Sequence, residues 1–340
     1  MKNIGLIFDS SPKIGRGHFW RCFNLAKLLK NKSRNFFFFS NKLEKSFINI
    51  LKKEKFCYSK ISSLKKMYEI KNLIKDKKLD TFISDYYDLN LKNKKEIKNL
   101  VVSFIVIDDR INKKHCCDVY INNNFLTSVS KKKIKKLNPN TKLLLGTKYF
   151  IHNQKFLKIV NKQKNKEIIK NIFVFFGSSD SSSETLKFIK SIKVFDNIKF
   201  QILIGNLNKD LKIIKNYCND KKNIKLFYNL SNYETLKLMQ NNDLSFGSGG
   251  INLTERLFVG LPSVAVCTAL NQKDALIALE KKKIIYYLGE SKKINDVKIK
   301  NCIKNLIENK NILSSLQKKT NKHYNKKMNL NLLSKELGLI

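Results

Sequence analysis

Short, uninterrupted apolar runs alternate along this chain with longer, lysine-rich amphipathic stretches, and that alternation narrows the possible folds more than any other feature. In the first half "NIGLIF", "NFFFF", "TFISDYY", "SFIVIDD" and "DVYINN" read as strands. Runs that are apolar throughout suit strands buried on both faces, as in a parallel sheet. Between them, "FWRCFNLAKLLKNK" places Phe19, Phe23, Leu25, Ala26, Leu28 and Leu29 at helical spacing, and "SSLKKMYEIKNLIKDKK" is similar. Strands that alternate with helices point to a parallel α/β sheet. The polar segment "NKQKNKEIIKN", residues 161–171, is the expected domain boundary. The alternation then restarts with "IFVFFGSSD", "KFQILIG", "NIKLFYNL", "DLSFGSGG", "PSVAVCTAL" and "KIIYYLG". A length of 340 residues suits two domains. The expected class is α/β, with two Rossmann-like doubly wound domains, 1–160 and 161–340, whose parallel sheets face a cleft. The last helices are expected to pack back on the N-terminal domain. Ligands in such sheets bind beyond the C-terminal ends of the strands.

The net charge of +41 first suggests nucleic acid. The basic residues are nearly all lysine, with arginine only at positions 16, 21, 34, 110 and 256. Lys, Asn, Ile and Phe, all with AT-rich codons, are abundant, while Gly, Pro, Ala and Arg are scarce. Genome bias accounts for this pattern without a ligand, so no specific nucleic-acid partner is expected. The charge still favours anionic substrates. Seven scattered cysteines with no C-x-x-C pair fit reduced thiols rather than a disulfide framework. "HCCD" at 115–118 closes a tetrahedral metal site poorly, and no metal or other cofactor is expected. No apolar stretch is long enough to cross a bilayer, and the start "MKNIGLIFD" does not read as a signal peptide. The expectation is a cytoplasmic monomer without membrane insertion.

Residues that the composition disfavours concentrate in a few segments. The first is "SSPKIGRGHFWRC", which directly follows the run "GLIFD". A strand ends there at Asp9, a loop carries Gly15 and Gly17, and a helix begins near His18. Glycine lets backbone approach a ligand, and a helix start offers unpaired N–H groups to an anion. The helix dipole there disfavours imidazolium, which leaves His18 a neutral base. "IFVFFGSSDSSSE" repeats the arrangement at Gly177, where Ser178, Ser179 and Ser181 to Ser183 either cap a helix or bind phosphate. "DLSFGSGGINLTERLFVGLPSVAV" is the most specific stretch. Gly249 and Gly250 open a helix that contains Glu255, a carboxylate suited to ribose hydroxyls. "ALNQKDA" places Asn271 and Gln272 at the end of a strand, where amides hold polar sugar groups. The candidate substrate-binding residues are Asp9, Gly15, Gly17, Arg21, Gly177, Ser178, Gly249, Gly250, Glu255, Asn271 and Gln272.

Taken in order, "SSPKIGRGHFWRC", "SDYYDL", "VIDDR", "HCCDVYINNN", "FFGSSD", "GSGGINLTERLFVGLPS" and "NQ" resemble the UDP-2,4-diacetamido-2,4,6-trideoxy-β-L-altropyranose hydrolases of pseudaminic acid biosynthesis. The resemblance spans roughly residues 4–280. It implies a GT-B fold like that of the glycosyltransferase that makes lipid II. It also implies cleavage of UDP from the anomeric carbon of a UDP-sugar, without metal, in a pathway that serves surface-glycan and flagellin glycosylation. His18 aligns with the family's histidine base, Glu255 with its nucleotide-binding Glu and Asn271 with its active-site Asn. The chain departs from the pattern where it has Leu6 and Ile7 in place of an Arg and Tyr86-Tyr87 in place of His-Tyr. It also has Gly177-Ser178-Ser179-Asp180 in place of Gly-Gly-Ser/Thr-Asp. Two other readings are a GT-B glycosyltransferase with a UDP-sugar donor and a non-enzymatic polyanion-binding protein.

Overall fold

The computed structural model describes residues 2–9, 17–151, 168–324 and 330–337. The described residues separate into two compact units, one of Met1–Gln154 with Asn329–Ile340 and the other of Lys155–Met328. Most of the polar segment expected as the boundary lies outside the described residues, as does Gly15.

The first unit is built on β1 (Lys2–Phe8), β2 (Arg34–Ser40), β3 (Cys57–Lys60), β4 (Thr81–Asp85), β5 (Ser103–Ile107), β6 (Val119–Asn122) and β7 (Lys142–Leu145). Helices α1 (Gly17–Leu29), α2 (Lys45–Lys53), α3 (Met67–Asp76), α4 (Leu91–Lys98) and α5 (Ser128–Leu137) connect them. The seven strands pair in parallel in the order β3-β2-β1-β4-β5-β6-β7. The two edge strands β3 and β7, four residues each, were not read as strands: β3 is not an apolar run, and the run in β7 is only three leucines long.

The second unit carries β8 (Asn171–Phe175), β9 (Lys199–Ile204), β10 (Ile224–Tyr228), β11 (Leu244–Ser248), β12 (Ser263–Cys267) and β13 (Tyr286–Glu290), also parallel. Their order is β10-β9-β8-β11-β12-β13. Helices α6 (Glu184–Ser191), α7 (Leu211–Cys218), α8 (Asn232–Gln240), α9 (Ile251–Phe258), α10 (Lys273–Lys281), α11 (Asp296–Glu308) and α12 (Lys310–Tyr324) alternate with and follow them. A last helix, α13 (Leu330–Glu336), belongs to the first unit, where Leu333 and Leu337 join the core.

Each sheet reverses its strand order once, between β1 and β4 in the first and between β8 and β11 in the second. Loops diverge at such a switch point and leave a crevice beyond the carboxyl ends of the strands. The segments that follow all four of these strands carry motifs found in the sequence. Helix α1 is fixed in the first crevice by aromatic packing. Phe19 stacks on Phe47 at 4.2 Å and on Phe23 at 5.7 Å, and its ring lies 6.0 Å from that of Phe8 on β1. Each such pair is worth about 0.5–1.5 kcal/mol beyond burial. One face of α1, with Phe19, Cys22, Phe23 and Ala26, therefore lies in the core. His18 and Arg21, one turn apart, reach the end of β4.

Candidate active site

In the first unit the site is organised by Asp85, the last residue of β4, which is fully buried. Register pairs it with Phe8, so it stands beside the exit of β1. His18 Nδ1 lies 2.7 Å from Asp85 Oδ1. Arg21 donates from Nε to Oδ2 at 2.7 Å and from Nη2 to Oδ1 at 2.5 Å. Burial pushes the Asp85 carboxyl up, but Arg21 and then His18 outweigh it and bring it to about 2. An ionised carboxylate only accepts, so Nδ1 carries the proton of that bond, which leaves Nε2 as the nitrogen that faces away from the carboxylate. Arg21 Nη2, 3.3 Å from Nδ1, is a second donor and cannot bond to it in this tautomer. Among the described residues, Nε2 has no hydrogen-bond partner. The helix start expected to keep His18 neutral is present, since His18 is the second residue of α1. The dominant contact is nevertheless a buried carboxylate from another strand.

Arg21 has a task other than the substrate contact expected of it. It is buried, and its third donor group, Nη1, binds both oxygens of Asp109 at 3.0 and 2.9 Å. Burial alone would lower its pKa, but Asp109 and Asp85 hold it well above the ordinary value. Asp109 also accepts the Tyr87 hydroxyl, and the Tyr87 ring meets the His18 imidazole edge-on at 4.9 Å. Burial and then Asp109 push the Tyr87 hydroxyl far above its usual range, so it stays a donor. Asp85, Tyr87 and Asp109 were absent from the sequence-derived site. The signal lay in "SDYYDL" and "VIDDR", because doubly wound order sets the exits of β1, β4 and β5 side by side. Asp9 is half-buried at the exit of β1, and Gly17 is the first residue of α1.

A second polar cluster lies beside this one. Asp108 is clamped by Arg110 through Nε at 3.0 Å and Nη2 at 2.7 Å. His115 Nε2 lies 3.7 Å from Asp108 Oδ2, and the buried Lys94 donates to His115 Nδ1 at 2.9 Å. Burial, with Lys94 and Arg110, pulls His115 down to about 3, so it is neutral. In the "HCCD" stretch Cys117 is buried, and Asp118 accepts the Phe104 N–H at 2.8 Å. No group of three or more His, Cys, Asp or Glu side chains among the described residues is arranged to hold a metal ion.

In the second unit the two glycine loops differ in kind. After β8, Gly177 turns with φ +101°, and Asp180 accepts the N–H groups of Glu184 at 2.9 Å and Thr185 at 2.8 Å. The chain's own carboxylate thus fills the start of α6. Asp180, not a serine, supplies the cap, because Ser183 adopts a left-handed conformation and makes no side-chain cap bond. Glu184, fully buried beneath, accepts Ser291 Oγ at 2.5 Å and Lys187 Nζ at 2.6 Å. Ser178 packs against Gly205, the residue after β9, where an added Cβ would come within 2.2 Å of its backbone.

The start of α9, by contrast, is open. Its N-cap, Gly250, has φ +83° and no side chain to bond the first amides, and the first turn holds no acid. Such an end attracts an anion. Arg256, fully buried, bolts α9 to β11 through Nη2 to the Ser248 carbonyl at 2.7 Å. Burial lowers Arg256 to about 9, with Glu255 opposing. Gly249 faces Gln272, whose Oε1 would stand 3.0 Å from an added Cβ. Gln272 Oε1 also accepts the Thr268 N–H at 3.1 Å, which directs its amide nitrogen elsewhere. Asn271 and Gln272 do not end a strand. They lie in a 3₁₀ turn, Leu270–Gln272, past the end of β12, and Asn271 is exposed. Glu255 is half-buried and makes no hydrogen bond or salt bridge with any described residue. Desolvation pushes its carboxyl up to about 7 against the opposing charge of Arg256. A half-buried carboxylate with no partner among the described residues is suited to ligand hydroxyls.

Two doubly wound parallel units in one chain, each with a motif-bearing switch point, define the class as a GT-B-type fold. Solved structures agree: Acinetobacter baumannii MurG superposes with a TM-score of 0.67 over 98% of this chain and 100% of its own, at 13% identity. S. aureus MnaA in a co-structure with UDP gives 0.69 over 100% and 98%, also at 13% identity. In sequence, the chain is 28% identical over 276 residues to UDP-2,4-diacetamido-2,4,6-trideoxy-beta-L-altropyranose hydrolase of Campylobacter jejuni, covering 81% of this chain and 94% of the relative. The resemblance read from the ordered motifs therefore extends along most of the chain. It is also 29% identical over 276 residues to the uncharacterized protein MJ1062 of Methanocaldococcus jannaschii, covering 77% of this chain. The match spans 55% of that archaeal relative's length. No protein-family model matches the chain. Among the described residues, no helix is long and apolar enough to cross a membrane.

Proposed function

We propose that the chain is a nucleotide-sugar hydrolase that releases UDP from UDP-2,4-diacetamido-2,4,6-trideoxy-β-L-altrose by attack of water at the anomeric carbon. The observation that carries this reading is the buried Asp85–His18 pair, which leaves Nε2 without a partner among the described residues. The substrate is taken from the name of the Campylobacter relative. In this reading the second unit holds the nucleotide, with the pyrophosphate on the open start of α9 and the ribose hydroxyls on Glu255. His18 Nε2 removes a proton from water as the oxygen attacks. The anomeric C–O bond breaks, and UDP leaves with the bonding pair. Asp85 stabilises the imidazolium that forms, and Arg21 keeps Asp85 ionised throughout. General-base catalysis of this kind contributes about 10²–10⁴-fold. The helix start stabilises the charge that develops on the departing phosphate, so a separate general acid is not required. Asp108 and Asp109 are both engaged by arginines, and hydrolysis is expected to survive chelator. The unpaired cysteines suit the reducing cytoplasm.

A glycosyltransferase would use the same base on an acceptor hydroxyl. The discriminating experiment is a panel of UDP-sugars assayed for UDP release with no acceptor present. Release from the diacetamido sugar supports the hydrolase. Release from any sugar only on addition of an acceptor refutes it in favour of the transferase.

A further inference from the structure

The segment "VIDDR" supplies two carboxylates that take no part in the proposed reaction. Asp108 is tied to its own neighbour, Arg110, through Nε and Nη2. Asp109, just past β5 with a side chain 13% exposed, is placed differently. Both its oxygens accept from Arg21 Nη1, and Oδ2 also accepts the Tyr87 hydroxyl. These two donors support His18 from different sides. Arg21 uses its other edge, Nε and Nη2, to hold Asp85, and Asp85 takes Nδ1 of the imidazole. Tyr87 lies edge-on against the same ring at an interplanar angle of 80°. Arg110 braces Tyr87 in turn, with its guanidinium 4.7 Å from the ring centroid and Nη2 donating to the Tyr87 carbonyl at 2.6 Å. Cys22, one turn below His18, reaches Asp85 only at 4.0 Å.

We propose that Asp109 is a positioning residue for His18. It locks Arg21 and Tyr87 into one unit and thereby holds the imidazole in the Nδ1–H tautomer, with Nε2 left to accept a proton. The physical basis is the fixed fork of the guanidinium. A guanidinium held through all three nitrogens, bidentately by Asp85 and through Nη1 by Asp109, has less freedom than one held by a single carboxylate. Without the Asp109 charge, Arg21 loses one of its two carboxylates while its Nη2 remains 3.3 Å from Nδ1. Its hold on Asp85 slackens, the Tyr87 hydroxyl loses its charged acceptor, and the imidazole gains both tautomers and a second orientation. This inference rests on the general-base reading of His18, but its main test requires no turnover.

The test compares wild type with Asp109→Asn by nitrogen NMR of labelled histidine in the unliganded protein, with the His18 signal assigned by its loss in His18→Gln. Wild type should show a single neutral Nδ1–H tautomer, and Asp109→Asn a mixture. In turnover, Asp109→Asn should lower kcat by about 10–100-fold, the range expected when a group that orients a functional histidine is removed. KM and UDP affinity should stay near wild type. In a His18→Gln background Asp109→Asn should cost nothing further. An unchanged tautomer signal overturns the proposal, as does a parallel loss of UDP affinity or full additivity with His18→Gln. If Asp109→Asn does not fold, Tyr87→Phe removes one of the two donor residues on Asp109 and keeps the ring. It should shift the tautomer signal in the same direction, and no shift overturns the proposal. If wild type releases no UDP from any sugar, the hydrolase reading fails while the tautomer comparison still decides the role of Asp109.

Discussion

Glu255 makes the proposed nucleotide site testable by pH. Its carboxyl is raised from 4.5 to about 7 by desolvation, against the pull of Arg256. If ribose hydroxyls donate to it, only the ionised form binds well, and UDP affinity follows the ionised fraction. For a pKa near 7 that fraction falls from about nine-tenths at pH 8 to about one-tenth at pH 6, so affinity should fall about tenfold, or ~1.4 kcal/mol. The phosphate groups of UDP titrate in the same range, so the informative quantity is the difference between wild type and Glu255→Gln. The assay is calorimetric titration with UDP across this range, in buffers of differing ionisation enthalpy. At pH 7 wild type should release about half a proton more per UDP bound than Glu255→Gln. A stability consequence follows from the same shift. Between 4.5 and 7 the folded state holds a proton that the unfolded chain has lost, so stability falls as pH rises through this window. Glu255→Gln should abolish that slope. Because the carboxylate stays partly exposed, solvent screening keeps the slope shallow. Identical pH dependence of UDP affinity and equal proton release in the two proteins would refute the assignment of Glu255 to the nucleotide.

His18→Asn should lower single-turnover UDP release by at least about 10²-fold while UDP affinity changes little. A near-normal rate would remove His18 from the mechanism and leave it as a helix-entry residue, for which Asn is a good substitute. Asp85→Asn leaves the Arg21 charge buried with only one carboxylate, and denaturant unfolding should show a loss of about 3–5 kcal/mol. The folded-state value of Asp85 is depressed from 3.8 to about 2. The stability it contributes is therefore present above 3.8 and lost as pH falls toward 2, and that acid-limb slope should be missing in Asp85→Asn. Equal acid slopes in the two proteins would contradict the network of Arg21, Asp85 and His18.

Much of this protein was determined by sequence alone, because some of its signals are local. Apolar runs such as "NIGLIF" and "PSVAVCTAL" specify strands buried on both faces whatever surrounds them. Alternation with amphipathic helices then leaves a parallel sheet as the consistent solution. Gly249-Gly250 before one helix, and Gly17-His18 at the start of another, were legible for the same reason: a helix start is a property of a few consecutive residues. Edge strands β3 and β7 carry too little apolar pattern to be read this way. What only the tertiary structure decided is which distant residues meet. Asp85 lies 67 positions from His18 and Asp109 lies 88 from Arg21. They become neighbours only because strand order sets the exits of β1, β4 and β5 together, and no local pattern records that adjacency. The same holds for charge. Arg21 looked like a substrate ligand until burial and two carboxylates claimed its whole guanidinium. Asp180 looked like one polar residue among serines until its oxygens took the first amides of α6, leaving the uncapped start of α9 open to an anion. Burial and pairing set the chemistry of an ionisable group, and both are properties of the folded chain.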